Sequence, residues 1–118
     1  MHGVGLDLLD IARLERALER RPRLAERLFS DSELEYARRH ARPGQHLAAR
    51  FCAKEAVTKA LGLDVLRPRE IEVVRDASGR PSVELAGTAA ARARELGTTM
   101  MITLTHTGVT AGAVAVAA

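Results

Sequence analysis

The first residues of the chain alternate between large apolar side chains and other residues, which is the period of a β-strand. In "VGLDLL" (4–9), Val4, Leu6 and Leu8 fall on one face of the predicted strand. Asp7 falls on the opposite face. An aspartate is disfavoured inside a strand, so Asp7 needs an explanation.

The apolar pattern then changes to helical spacing. Asp10 is the predicted N-cap of a helix that continues through "IARLERALER", and Pro22 ends this helix or opens the next one. "SDSE" at 30–33 has the spacing of a capping box and predicts a further helix to about Ala41. "RPGQ" at 42–45 is predicted to be a loop.

An alanine-rich helix is predicted from about His46 to Leu61, with Gly62 as its C-cap. Its small side chains form a broad face, and larger apolar residues cover much of the rest. A helix that is apolar nearly all round is a buried one, and small residues let it lie close against a sheet.

Two hairpins and a helix are predicted for the second half. Residues 71–76 and 81–85 are predicted strands joined by a turn at 77–80, and residues 99–106 and 109–117 are a second strand pair. Residues 87–96 are predicted to be a helix with Thr88 as N-cap and Gly97 at its end. The sequence therefore predicts an α+β fold, in which an antiparallel sheet packs against the long helix and the N-terminal helices.

Composition sets limits on the function. We expect one domain over residues 1–118, without a membrane span or a signal peptide. The single cysteine excludes an internal disulfide and agrees with a cytoplasmic location. The net charge is +3, and aromatic residues make up only 3%, which argues against nucleic-acid binding by base stacking.

The helical segment "RFCAKEAVTK" (50–59) carries four charges, including the only two lysines of the chain. Glu55 and Lys59 are spaced to form an ordinary surface ion pair, and Asp7 on an edge strand would face water. Alternatively, the two carboxylates meet at a cation beside an anionic ligand. Mg²⁺ commonly takes one or two carboxylates together with phosphate and water oxygens.

Four segments occur in the order found in one enzyme family: "GVGLDLLDIARLE", "RFCAKEAVTKALG", "GRP" at 79–81 and "ITLTHTGVTAGAVAV". The chain resembles a holo-acyl-carrier-protein synthase, the small type of 4′-phosphopantetheinyl transferase, over nearly its whole length. The G-x-D near the start and the F-x-x-K-E-A helix are the paired marks of that family.

The resemblance implies an activity and a cofactor. Such enzymes move the phosphopantetheine arm of coenzyme A to a serine of apo acyl carrier protein and release adenosine 3′,5′-bisphosphate. The resemblance further implies that Asp7 and Glu55 hold Mg²⁺ and that Lys59 lies beside the phosphates as a third catalytic residue. Glu55, a water on the metal and His106 all stay open as the base. The family forms homotrimers with active sites between subunits, in fatty acid or polyketide synthesis.

The resemblance also implies residues that bind coenzyme A and the carrier protein. The expected coenzyme A contacts are Arg50, Lys54, Lys59, Gly79, Arg80, Pro81, Thr105 and His106. Thr107 stands where several relatives carry an acid, which leaves more of the metal shell to water. The loop "GLDVLRP" has fewer glycines than is usual in the family.

Arginines recur every three or four residues from Arg13 to Arg27. Their charges are balanced by neighbouring glutamates on a solvated face, or they dock an acidic partner. In the family the first helix meets the acidic carrier protein, and the matching positions are Arg13, Arg20 and Arg23. Two competing hypotheses are a non-catalytic module that binds carrier protein and a small RNA-binding domain.

Overall fold

The computed structural model describes all 118 residues. The strands are β1 (Gly3–Asp10), β2 (Ile71–Arg75), β3 (Pro81–Leu85), β4 (Met100–His106) and β5 (Thr110–Ala117). The helices are α1 (Ile11–Arg20), α2 (Leu24–Leu28), α3 (Asp31–Arg38), α4 (Pro43–Ala60) and α5 (Gly87–Leu96), with a 3₁₀ turn at Pro68–Glu70.

Two antiparallel sheets form the β layer. The first has three strands in the order β1-β5-β4, with Asp7 opposite Ala113 and His106 opposite Ala111. The second is the hairpin β2-β3. The predicted α+β fold with an antiparallel sheet is confirmed.

Helix α4 lies directly on the backbone of β1. A β-carbon added to Gly5 would lie 1.9 Å from the carbonyl oxygen of Ala56, and one added to Gly3 would lie 2.1 Å from that of Ala60. Only glycine allows so close an approach of strand and helix. Because residues alternate along a strand, Asp7 lies on the same side as these glycines and faces α4.

The core is one contiguous cluster of 22 buried residues, and α4 contributes more of them than any other element. Phe29 and Ile11 are its largest apolar members and seal it from the side of the N-terminal helices. The buried faces of β5 and α4 consist mainly of alanine, which explains how the sheet and helix pack so closely. None of the helices combines the length and apolarity needed to cross a bilayer.

Several predicted helix ends are confirmed. Asp10 caps α1 by accepting a hydrogen bond from the backbone N–H of Arg13, and Ser30 and Glu33 form the capping box of α3. Helix α5 ends at Gly97, which has a left-handed backbone (φ 62°).

The predicted start of α4 and the predicted N-cap of α5 are wrong. Helix α4 begins at Pro43, so the predicted loop at 42–45 is mostly its first turn, where a proline is tolerated. The predicted range of α5, residues 87–96, is confirmed, but its N-cap is Ala86 and not Thr88, and the methyl side chain of Ala86 cannot accept a capping hydrogen bond.

Candidate active site

Asp7 and Glu55 come together where β1 crosses the C-terminal half of α4. Cys52, Glu55 and Lys59 are spaced three and four residues apart, so they share one side of α4. Asp7 approaches this side from β1. The ammonium of Lys59 lies 3.6 Å from Asp7 Oδ1 and donates a 2.9 Å hydrogen bond to the carbonyl of Leu6.

The electrostatics of this group reflect the proximity of the two acids. Partial burial, and next the negative charge of Asp7, raise the pKa of the Glu55 carboxyl above its usual value. Burial raises the pKa of the Cys52 thiol to about 12, with further contributions from Asp7 and Glu55, so this thiol stays protonated. A carboxyl whose ionisation is disfavoured by a neighbouring negative charge lies at a site where a cation is stabilised.

The simpler interpretations of these residues are wrong. Lys59 pairs with Asp7, and no ion pair forms between Glu55 and Lys59. β1 is an edge strand, but Asp7 faces the helix and only 19% of its side chain is exposed. Neither acid is therefore explained by solvation alone.

The donor set matches the needs of a magnesium ion. The chain has no group of three or more histidine, cysteine or acidic side chains arranged to hold a metal ion. Asp7 and Glu55 thus offer two carboxylates and no further protein ligand nearby. Mg²⁺ dehydrates reluctantly and is commonly held by one or two carboxylates plus substrate phosphate and waters, so the two acids fit that ion.

A second polar feature is a cavity of about 210 Å³ near the N-terminal half of α4. Its polar lining consists of Tyr36, His46, Arg50, Arg75 and His106. No carboxylate lines it. Burial, and then the charges of His40 and Arg50, lower the pKa of His46 to about 4, so that imidazole is neutral at physiological pH. We call this feature the arginine–histidine cavity.

Arg50 is the most unusual member of this lining. The residue is only 4% exposed, and its guanidinium carbon lies 3.9 Å from the centroid of the Tyr36 ring. One terminal nitrogen donates a weak 3.4 Å bond to the carbonyl of His46, while the buried Nε has no partner. Arg50 forms no ion pair in the chain, so a bound anion would supply the missing charge and acceptors.

Lys54 does not fit its expected contact with coenzyme A, and this prediction needs correction. The residue is 1% exposed, and its ammonium contacts Glu33 at 2.9 Å and the carbonyls of Pro68 and Ile71 at 2.7 and 2.6 Å. These three acceptors use all three N–H donors of the ammonium. Lys54 therefore joins α3, α4 and β2 inside the core and has no donor left for a ligand.

The remaining expected coenzyme A contacts fall in different places. Pro81 lines the arginine–histidine cavity, and together with Arg80 it also lines a separate cavity of about 460 Å³ beside β4. Gly79 turns the β2-β3 hairpin with φ 87° and accepts a hydrogen bond from Arg75. Thr105 lies opposite Gly112 on the outer face of the sheet, so it does not share the cavity of His106.

The arginines predicted to dock a partner are all exposed. Arg20 and Arg23 lie where α1 turns into α2, and they line a cleft of about 540 Å³ together with Arg21 and Arg27. Arg13 is on α1 outside that cleft. None of these arginines forms an ion pair, and Glu15, one of the glutamates expected to balance them, pairs with Arg42 instead.

Tyr36, His46 and Arg75 are site residues that the sequence did not reveal. They come from α3, α4 and the end of β2, so no local spacing relates them to one another. The one available signal was that His46 precedes Arg50 by one helical turn.

Comparison with known proteins identifies the family. Residues 3–109 match the model of the 4′-phosphopantetheinyl transferase superfamily. The chain is 46% identical over 114 residues to the holo-[acyl-carrier-protein] synthase of Moorella thermoacetica, covering 94% of this chain and 89% of the relative. The Neisseria meningitidis holo-[acyl-carrier-protein] synthase (AcpS) structure superimposes with a TM-score of 0.87 at 28% identity, covering 100% and 98% of the two chains. The Chronobacterium ammoniagenes ACPS-CoA complex superimposes with a TM-score of 0.82 at 30% identity, covering 96% and 93%. The chain therefore belongs to the holo-[acyl-carrier-protein] synthase family of phosphopantetheinyl transferases.

Proposed function

We propose that this enzyme transfers the 4′-phosphopantetheine arm of coenzyme A to a serine hydroxyl of apo acyl carrier protein, releases adenosine 3′,5′-bisphosphate and depends on Mg²⁺. The observation that carries the proposal is the approach of Asp7 and Glu55, with Lys59 beside them, where β1 meets α4. Two carboxylates and an ammonium form a site suited to a diphosphate and its cation.

Asp7 and Glu55 would hold the metal ion. When bound, Mg²⁺ supplies positive charge that neutralises the diphosphate during phosphoryl-type transfer. We expect the close contact of β1 and α4 at Gly5 to set the spacing of the two carboxyl groups. Catalysis of this kind depends mainly on positioning and electrostatic stabilisation, so a rigid strand–helix contact suits it.

Lys59 would bind the diphosphate itself. Its ammonium has one backbone acceptor, the carbonyl of Leu6, and a longer contact with Asp7, and its side chain is 54% exposed. At least one N–H donor therefore faces solvent and is free for a phosphate oxygen. Lys59 thus places positive charge next to the leaving group.

Within one chain, Glu55 is better placed than His106 to accept the serine proton, because Glu55 lies at the proposed diphosphate site beside Asp7 and His106 lies elsewhere. His106 lines the arginine–histidine cavity with Arg50. Arg50 and Glu55 are five residues apart on α4, which corresponds to about 140° around the helix and about 7.5 Å along it.

The same separation bears on how coenzyme A binds. The carboxylate pair suits the diphosphate, and the arginine–histidine cavity suits a second anionic group, which in coenzyme A is the 3′-phosphate. Within one chain these two features lie on different sides of the buried helix α4. We propose that one subunit supplies the carboxylates and its neighbour supplies the cavity, so that active sites form between subunits.

The outer face of the three-stranded sheet provides a surface for such an assembly. Val4, Leu6 and Leu8 on β1 are 60%, 57% and 66% exposed, and Met101 on β4 is 63% exposed. The register continues this face across β5, where Val116 lies between Val4 and Met101. Monomers rarely expose so continuous an apolar face, so we propose that further copies of this chain cover it, as a homotrimer.

The exposed arginines of α1 and α2 are proposed to bind the acidic carrier protein. Arg20 and Arg23 lie together in the cleft at the α1–α2 corner, and Arg13 extends the positive charge along α1. Because no glutamate pairs with these arginines, their charge is available to an acidic partner.

The activity is tested by incubating the enzyme with apo acyl carrier protein, coenzyme A and Mg²⁺, and by following the carrier protein by mass spectrometry. We expect the mass to increase by one phosphopantetheine arm. Asp7→Asn and Glu55→Gln should each lower the rate by at least about 10²-fold. Each variant removes a negative charge that would hold the metal ion, and with it part of the electrostatic stabilisation of the transition state.

Asp64→Asn is the matched control, because Asp64 is an exposed acid just beyond α4 that contacts neither feature. It should retain the wild-type rate. Full activity in both Asp7→Asn and Glu55→Gln would refute the proposal that these acids hold the metal ion. No mass gain with any apo carrier protein would refute the proposed activity. Leu6→Glu should convert the assembly to monomers in analytical ultracentrifugation, and a wild-type protein that is already monomeric would refute the homotrimer.

A further inference from the structure

Tyr36 on α3 lies at the centre of the positive charges of the arginine–histidine cavity. The guanidinium carbons of Arg50 and Arg75 lie 3.9 and 4.8 Å from the centroid of its ring. We propose that Tyr36 is a positioning residue that holds these two guanidinium groups for a phosphomonoester. The identity of that phosphomonoester, the 3′-phosphate of coenzyme A, depends on the proposed function.

Tyr36 holds the two arginines by different atoms. The face of its ring contacts the guanidinium of buried Arg50, and its hydroxyl accepts a hydrogen bond from Arg75. Arg75 also donates a 2.6 Å bond to the carbonyl of Gly79, which orients it from the side of the β2-β3 turn. One tyrosine thus joins a helix arginine to a hairpin arginine.

Electrostatics explain why such a residue is needed. Burial, together with the nearby charge of Arg75, opposes the charged form of Arg50 and lowers its pKa. Neither arginine forms an ion pair. Glu33 is the buried carboxylate whose negative charge favours the charged form of Arg50, but it already forms an ion pair with Lys54. The electron-rich face of Tyr36 offsets part of the positive charge, and the remainder is available to a ligand.

The arrangement favours a phosphomonoester over a single negative charge. Two guanidinium groups that converge from different elements offer several N–H donors, and Arg50 Nε still lacks an acceptor. A phosphomonoester carries up to two charges and three terminal oxygens, so it can accept from both groups at once. His46 and His106 complete the lining.

Tyr36 is a positioning residue and not a catalytic one. It contacts the arginines of the cavity, and this cavity and the carboxylate pair lie on different sides of α4. Its loss should weaken binding of the 3′-phosphate and leave the chemical step unchanged. This expectation separates Tyr36 from a residue that only stabilises the fold, whose loss would affect all ligands equally.

The test compares two ligands that differ only in the 3′-phosphate: adenosine 3′,5′-bisphosphate and adenosine 5′-monophosphate. Their affinities are measured by isothermal titration calorimetry on wild type, Tyr36→Leu and Tyr36→Phe. Wild type should prefer the bisphosphate. Tyr36→Leu should reduce this preference about tenfold, as expected for the loss of a desolvated cation–π contact. Tyr36→Phe, which keeps the ring, should reduce it about threefold through loss of one hydrogen bond.

The control is Arg38→Ala, which removes an exposed positive charge from the same helix and should keep the wild-type preference. Circular dichroism checks that each variant is folded, and if Tyr36→Leu is not, Tyr36→Phe alone decides. An undiminished preference in the folded variants overturns the proposal, and so does a wild type that binds both ligands equally.

A turnover measurement separates this proposal from the proposed function. Tyr36→Leu should raise the KM for coenzyme A about tenfold with kcat unchanged, and it should leave the KM for dephospho-coenzyme A unaltered. Binding preference for the bisphosphate without any arm transfer would refute the activity and leave the role of Tyr36 intact. Arm transfer whose KM is the same with and without the 3′-phosphate would refute the role of Tyr36 and leave the activity intact.

Discussion

The buried ion pair between Lys54 and Glu33 gives the sharpest prediction about stability. Lys54→Met keeps most of the side-chain volume and removes the charge. It leaves the Glu33 carboxylate buried with only two backbone donors, Ser30 N and Val73 N, each at 2.8 Å. It also leaves the carbonyls of Pro68 and Ile71 without their ammonium partner.

The expected cost follows from the burial of the pair. Both side chains are at most 1% exposed, so breaking the pair from one side leaves an uncompensated charge, which costs about 3–5 kcal/mol. At an unfolding entropy of about 2.1 cal/mol/K per residue, a loss of 4 kcal/mol lowers the Tm of a chain this size by about 16 °C.

Urea denaturation followed by circular dichroism at one pH measures the change in unfolding free energy. Lys59→Met is the matched control, because it is the same substitution on the same helix at a side chain that is 54% exposed, and it should change stability by less than about 0.5 kcal/mol. The double variant Glu33→Gln/Lys54→Met should recover part of the loss, since no buried charge is then left unpaired. A loss below about 1 kcal/mol for Lys54→Met would refute the reasoning.

Three further predictions concern the site and its partner. The pKa of the Glu55 carboxyl is raised above its usual value of 4.5 in the folded, metal-free protein, so the contribution of Glu55 to the unfolding free energy should fall as pH rises from 4.5 through the raised folded value. Glu55→Gln should abolish that fall and, after allowance for solvent screening, stabilise the metal-free protein at neutral pH by up to about 0.5 kcal/mol in urea denaturation; an unchanged pH profile would contradict this. Gly5→Ala places a β-carbon 1.9 Å from the Ala56 carbonyl oxygen, so β1 must retreat by roughly 1 Å and kcat/KM should fall about 10²-fold in a protein that still folds by circular dichroism; wild-type kcat/KM would show that this spacing is unimportant. Arg20→Glu/Arg23→Glu should raise the KM for apo carrier protein at least about tenfold and flatten its salt dependence, with the KM for coenzyme A unchanged, and an unaltered KM for the carrier protein would exclude the arginine cleft as its dock.

Much of this fold could be predicted because its local signals are strong. The capping box at Ser30 and the glycine after α5 act within one helical turn, and the structure confirms both. The start of α4 was missed because proline and glycine usually indicate a loop, whereas Pro43 occupies the first turn of the helix. The first and last turns of a helix are where local propensity and tertiary packing most often disagree.

The charged residues of α4 show more clearly what could not be predicted from the sequence. Glu55 and Lys54 are adjacent, and both looked out of place on a buried helix. Burial alone cannot distinguish a functional charge from a structural one, because that depends on which element lies opposite. Glu55 faces Asp7 on β1, whereas Lys54 points into the core and contacts Glu33. The contacts of Tyr36 with arginines from two other elements were equally beyond any pattern along the chain.

The proposed function depends most on Asp7 and Glu55 sharing one divalent ion. Electron paramagnetic resonance of free Mn²⁺, used as a probe for Mg²⁺, measures ion binding to the enzyme in the presence of coenzyme A. We predict one ion per chain in wild type and Asp64→Asn, with affinity at least about tenfold weaker in Asp7→Asn and in Glu55→Gln, because each loses one of two charged ligands. Wild-type affinity in both site variants would contradict the account.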